Sequence, residues 1–313
     1  MKLLRLVPEQ TNFRFMHWRV LSFPLSAIVA VLAVVLFLTI GLNYGIDFKG
    51  GTLIELRSKS GPADLAQIRQ SLGGLNLGDI QVQEFGDPSE VLIRIESQGD
   101  EESSQQSVVE SVRATFAEDY EFRRTEVVGP RVSGELAYAG VLAVGSALLM
   151  IMFYIWFRFE WQFAVGAIIT TFNDIVLTIG LFSLLHLDFT LSSIAAVLTI
   201  IGYSLNDTVV VYDRIRENLR RYKRLSLEEL LDKSINETLS RTTMTSVTTL
   251  LALFALYFLG GEVIQSFVLA MIFGIVIGTY SSIFLAAPLL MLMKLRANAF
   301  DRKDDETSPS KST

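Results

Sequence analysis

Six apolar runs of membrane length dominate this 313-residue chain, half of whose residues are hydrophobic. They cover residues 22–42, 135–157, 162–185, 191–212, 242–259 and 265–293. Crossing the ~30 Å hydrocarbon core of a bilayer takes about 20 helical residues. Each run is near that length, and the last is long enough to tilt or to extend past the bilayer. Lipid offers the backbone no hydrogen-bond partner, so each run has to close its own bonds as a helix. The expected fold class is therefore a polytopic α-helical membrane protein with six transmembrane helices. The first run is too long for the apolar core of a signal peptide and lacks a small-residue cleavage pattern, so it reads as a retained anchor.

Charge orients these spans. Residues 43–134 carry 9 basic and 16 acidic side chains. The segment 1–21 carries four basic against one acidic, the connector 213–241 eight against six, and the tail 294–313 five against four. Lys and Arg near membrane ends mark the cytoplasmic side. Both termini and the connector are thus expected on the inner, cytoplasmic side, with 43–134 outside.

The outer segment is long enough for one small domain. Residues 52–58 alternate like a strand, 62–72 read as a helix opened by Pro62 and ended by Gly73 and Gly74, and 79–85 and 91–97 read as strands around the turn Gly86-Asp87-Pro88-Ser89. A helix over 103–117 and a strand over 120–128 complete the order β-α-β-β-α-β of an α+β ferredoxin-like domain. The connector reads as a helix pair on the membrane surface, with a capping box at Ser226 and Glu229 and an i,i+4 pair at Glu217 and Arg221. The tail after Ala297 is polar and expected to be disordered.

Much chemistry is excluded. There is no cysteine, so no disulfide framework or thiol chemistry. No Walker loop is present for ATP. His17 and His186, the only histidines, fall on opposite sides of the membrane and cannot share a metal. The sequence supports neither an enzyme nor a cofactor site nor a nucleic-acid partner.

What remains is charge placed at membrane depth, at a cost of about 2.5–3.5 kcal/mol for a residue at a helix centre. Asp174 lies mid-run beside Asn173, with Thr170 and Thr178 one turn away on either side. Asp207 lies about five residues from the inner end of the fourth run, on a helix that carries a stripe of Ser192, Ala196, Thr199, Tyr203 and Asn206 at alternating steps of four and three. Arg241 opens the fifth run and is followed by hydroxyl residues. Burial disfavours the charged form of a carboxylate and a nearby guanidinium favours it, so Asp207 facing Arg241 is a candidate proton-switching pair. The plainer readings are an ion pair that fixes packing, an Asp174 satisfied by Asn173 and the threonines, and an Arg241 that snorkels to the interface. In the sixth run, Ala270, Gly274, Gly278, Ser282 and Ala286 recur at steps of four, a face for close helix packing.

These residues also resemble a known family. Gly45-Ile46-Asp47-Phe48-Lys49-Gly50-Gly51 resembles the motif that follows the first membrane helix in the SecD/SecF protein-export family. Gly202-Tyr203-Ser204-Leu205-Asn206-Asp207-Thr208, running into Tyr212-Asp213-Arg214, is similar to the family's fourth membrane helix. Leu239-Ser240-Arg241-Thr242 is similar to the start of its fifth. The resemblance spans about 15–295 and implies the resistance-nodulation-division transporter fold. It implies a SecD partner, association with the SecYEG channel and YajC, a translocating preprotein, and use of the proton gradient. It further implies that Asp207 and Arg241 serve ion passage. Depth alone favours Asp174, whereas the resemblance favours Asp207. Family members often carry His where this chain has Asn173. Two other readings are a stand-alone small-molecule or lipid exporter of the same superfamily and a non-conducting scaffold subunit.

Overall fold

A computed structural model describes residues 11–75, 77–97, 102–293 and 295. Six of its helices are long and apolar enough to cross a membrane. They are α1 (Arg19–Thr39, preceded by a 3₁₀ turn at Phe15–Trp18), α5 (Pro130–Arg158), α6 (Trp161–Leu184), α7 (Leu191–Arg221), α8 (Leu227–Leu259) and α9 (Gln265–Ser281). The last continues through a π turn at Ser282–Ala286 into α10 (Ala287–Leu292). About half of the membrane-length windows of α6, α7 and α9 is buried, against far less of α1, α5 and α8. The first three therefore form the inside of the bundle.

At ~1.5 Å per residue, the 31 residues of α7 and the 33 of α8 reach ~46 and ~50 Å, well beyond a hydrocarbon core. The connector is the projecting end of these two helices rather than a separate helix pair on the surface. No Gly or Pro interrupts α8 between Leu227 and Leu259, so nothing stops the helix where the apolar run begins. The capping box is present, with Glu229 N donating to Ser226 Oγ at 3.3 Å and Ser226 N to Glu229 Oε2 at 3.2 Å. The Glu217–Arg221 pair is not formed. Glu217 takes Arg214 at 2.6 Å, and Arg221 lies over the Tyr222 ring. Arg214 also holds Glu237 of α8 at 2.7 Å. The chain before α1 docks here too, with Phe13 N on Asn236 Oδ1 and Met16 N on Asp232 Oδ1.

Between α1 and α5 lie a two-residue strand β1 (Asn43–Tyr44), a one-turn helix α2 (Ile46–Lys49) and a small α+β unit. That unit runs β2 (Gly51–Ser58), α3 (Leu65–Gly73), β3 (Ile80–Phe85), β4 (Asp87–Glu96), α4 (Glu102–Phe116) and β5 (Tyr120–Val128). Its four strands pair antiparallel in the order β3-β4-β2-β5. Ile54 and Leu56 of β2 alternate with Glu55 and Arg57, as a half-buried strand requires. They pack with Ile93 and Ile95 of β4, Ile68 and Leu72 of α3, and Val108, Val112 and Phe116 of α4.

Two local details differ from the sequence reading. α3 starts at Leu65, not at Pro62, because Asp64 caps it and its Oδ1 accepts from Ala66 N at 2.9 Å and Gln67 N at 3.1 Å. Asp64→Ala is expected to cost about 1 kcal/mol, measurable as faster amide exchange in the first turn of α3. The β3–β4 turn is tighter than expected. Gly86, at φ +72°, is its pivot, and Asp87 already belongs to β4. The tail 296–313 lies outside the described residues.

Candidate functional site

A polar seam runs through the inside of the bundle. α7 and α8 are antiparallel, and Tyr203 OH donates to Ser246 Oγ across them at 3.3 Å. Asp207 of α7 and Thr242 of α8 each lie one turn towards the connector from that bond, and farther along Asn218 Nδ2 donates to Ser234 Oγ at 3.0 Å. Asp207 and Thr242 are each only 2% exposed. Asp207 Oδ2 and Thr242 Oγ1 are buried with no hydrogen-bond partner among the described residues. A buried carboxylate oxygen without a donor is costly, which sets this pair apart from the rest of the seam. Arg241 is exposed and forms no ion pair among the described residues.

Asp174 is fully buried and well satisfied. Its Oδ2 accepts from Ser204 Oγ of α7 at 2.6 Å and from Ser281 Oγ of α9 at 2.8 Å. Asn173 adds only a long contact at 3.5 Å. The threonines do not serve it. Thr170 and Thr178 bond back to carbonyls of their own helix, as Thr hydroxyls in helices commonly do. Next to Ser281, the π turn brings Ser282 Oγ to Thr208 Oγ1 at 3.1 Å. The Ala286 carbonyl accepts from Tyr212 OH at 3.1 Å. A π turn leaves backbone groups off the regular ladder and is often found at functional sites. Gly274 and Gly278 allow the close approach of α9 to α7, since side-chain carbons there would run into Ile200 and Ser204.

Replacing Ser204 and Ser281 together by Ala strands the buried Asp174 Oδ2 without these two donors. The expected loss is about 1–3 kcal/mol per missing donor, read as a lower thermal midpoint in detergent. Ser183, buried but bonded only within its own helix, is the control. An equal shift for Ser183→Ala would contradict the assignment.

The other end of α7 meets the α+β unit. Residues 45–51 form a compact joint there. Asp47 Oδ2 accepts from Leu191 N at 2.9 Å, placing a carboxylate at the helix N-terminus, where the macrodipole favours it. Phe48 stacks on Phe189. β1 pairs in parallel with β6 (Asp188–Phe189), the strand leading into α7. Gly50 and Gly51 have φ of +73° and +126°, and a side chain on Gly51 would strike the Ile95 carbonyl.

A family model described as "Protein export membrane protein SecD/SecF, C-terminal" matches residues 108–296, well over half of the chain. The chain belongs to the SecD/SecF family. A second model, the SecD/SecF GG motif, matches residues 35–61. Among relatives, the protein translocase subunit SecF of Rhodobacter capsulatus is 45% identical, covering 98% of this chain and 95% of the relative. Protein translocase subunit SecDF of Brucella abortus is 47% identical over 96% of this chain but only 40% of its own length. The crystal structure of SecDF, a translocon-associated membrane protein from Thermus thermophilus, superposes with a TM-score of 0.83 at 37% identity. It covers 93% of this chain, which spans 40% of that one.

Within this SecD/SecF chain the residues singled out from sequence fall in three places. Asp207 and Asp174 lie in the seam, with Gly274 and Gly278 packed beside it. Gly45, Asp47, Phe48, Gly50 and Gly51 form the joint. Asn206 and Arg241 are exposed on the outside of α7 and α8. Of the stripe Ser192, Ala196, Thr199, Tyr203 and Asn206, Ala196 is buried and Tyr203 bonds to α8, while Ser192, Thr199 and Asn206 are exposed; the buried polar residues of α7 include Ser193, Ser204, Asp207 and Thr208. Sequence reasoning missed Ser204, Ser281 and the π turn. It also missed Arg94, an arginine set between Ile93 and Ile95 in β4.

Proposed function

We propose that this chain is an accessory subunit of the Sec preprotein translocase that works with SecD. In this reading it uses the proton-motive force to promote late steps of protein export through SecYEG, with YajC as a further partner. The relatives are named as translocase subunits, and the fusion of SecD and SecF in one SecDF chain supports a SecD partner. So do polar residues left exposed at membrane depth. Thr199 and Asn206 on α7 and Arg241 and Thr248 on α8 face outward, where lipid is a poor neighbour and a second six-helix chain a good one. A stand-alone exporter leaves them unexplained.

In this reading both termini and the connector lie in the cytoplasm. Residues 43–134 are read as a periplasmic ferredoxin-like domain, a reading supported by the β-α-β-β-α-β order and the sheet order β3-β4-β2-β5. Residues 135–293 form the remaining helical bundle. Asp207 is the ion-coupling group, taking up a proton from one side and releasing it to the other. Charged, it is drawn to Arg241; neutral, it is released, and α7 shifts against α8. Asp174 holds α6, α7 and α9 together so that the shift is transmitted along the helices.

The observation that carries this reading is the unpartnered carboxyl oxygen of Asp207 on a helix whose other end is capped by Asp47. The test is reconstitution of the chain with SecD in liposomes, reading proton flux together with gradient-dependent export. Flux and stimulated export that both require this chain support the reading. Export that responds to the chain without any flux points to a scaffold instead.

A further inference from the structure

The α+β unit is joined covalently to α1 through residues 43–50 and to α5 through residues 128–130. Neither of those helices carries Asp207. A side-chain route reaches α7 directly. Arg94 of β4 is only 8% exposed, and its Nη2 lies 2.8 Å from Asp188 Oδ2. Its Nη1 donates to Asn43 Oδ1 at 3.3 Å and to Gln81 Oε1 at 3.4 Å. Asn43 Nδ2 in turn donates to Asp188 Oδ1 at 2.6 Å. One carboxylate thus holds the sheet through Arg94 and the end of α1 through Asn43. The Asp188 carbonyl accepts from Ser193 Oγ at 3.1 Å, and Ser193 belongs to the first turn of α7. The same turn is capped by Asp47.

The pair is enclosed on one side, with the Arg94 side chain 8% and the Asp188 side chain 26% exposed, so removing Asp188 leaves a buried guanidinium without its anion. Guanidinium is also the cation suited to reach several planar acceptors at once. Arg94 is doing so here, with three oxygens from three different segments. A surface arginine serving only solubility would not be enclosed in this way.

We infer that the Arg94–Asp188 pair is the clasp through which the α+β unit follows the movement of α7. The inference rests on the reading that Asp207 drives that movement. Arg94 touches neither the ion nor the preprotein and is a positioning residue. Breaking the clasp uncouples the two ends of the machine, so ions still pass but the domain no longer answers.

The experiment uses the full chain reconstituted with SecD. Arg94→Gln is expected to keep proton flux close to that of the parent, while gradient-dependent export falls about tenfold or more, within the usual range of coupling between sites. A merely structural role would lower both together. Because the chain has no cysteine, spin labels at Thr115→Cys on exposed α4 and Leu259→Cys at the end of α8 report the position of the unit directly. Their distance distribution is expected to broaden in Arg94→Gln. Asp188→Asn breaks the same pair from the bundle side and decides the matter should Arg94→Gln fail to assemble. Export and distances unchanged in these variants, with Asp207→Asn still defective, overturn the clasp alone. Gradient-dependent export retained in Asp207→Asn overturns the underlying reading instead.

Discussion

Asp207→Asn is expected to assemble with its partner, keep its thermal stability, and lose gradient-driven export down to the level seen with the gradient collapsed. The amide has nearly the shape of the carboxylate. It is neutral at every working pH, so the desolvation cost of a buried charge is removed while the packing of α7 on α8 and α9 is kept. What is lost is the alternation of charge. In general, opposite unit charges a few ångströms apart near a protein surface interact by roughly 3–4 kcal/mol at an effective dielectric of ~20. Switching one of them off shifts a two-state equilibrium by a factor of roughly a hundred, enough to turn one helix arrangement into another. Asp174→Asn is the informative contrast. Its hydrogen bonds to Ser204 and Ser281 already satisfy Oδ2, so its substitution should lower stability more than it lowers coupling.

The second large effect is expected at Gly51. Its φ of +126° lies where residues with a side chain are strained. A Cβ there would also point at the Ile95 carbonyl, inside the β2–β4 pairing of Thr52 with Ile95. Gly51→Val therefore combines backbone strain with forced separation of two central strands. A loss of at least about 3 kcal/mol is expected, seen as rapid proteolysis of the α+β unit at temperatures where the parent resists. Gly61 has a similar φ of +116° but open space around it. Gly61→Val should cost only the strain, about 1–3 kcal/mol. Equal sensitivity of the two variants would show that the contact with Ile95 contributes nothing.

The spans were legible because length and apolarity together leave lipid-crossing helices as the one solution for such runs. The strand–helix order of residues 51–128 was legible from alternation and turn residues. Asp207 stood out because a carboxylate near the end of an apolar run is costly to place there, whether it switches or only fixes packing. Its unpartnered oxygen was not legible, since that depends on which residue of α8 comes opposite. The serines that hold Asp174 are 30 and 107 residues away in sequence, and serine is an unremarked residue in a membrane helix. Thr170 and Thr178 looked like partners because they share its helix face, but their hydroxyls are taken by the nearest carbonyls. The connector was misread as a separate helix pair because charge marks where lipid ends, not where a helix ends. Arg94 did leave a signal. A charged residue between Ile93 and Ile95, with Leu92 also buried, points to a strand covered on both faces, and a covered arginine needs an anion.

In the proposed mechanism Asp207 changes its protonation during the working cycle. Infrared difference spectroscopy of the reconstituted pair, recorded as a proton gradient is imposed and collapsed, measures this directly. A carbonyl band of a protonated carboxyl group is expected to come and go with the gradient and to be missing from Asp207→Asn. A spectrum in which the gradient changes no band belonging to Asp207, while export still responds to the gradient, would contradict it.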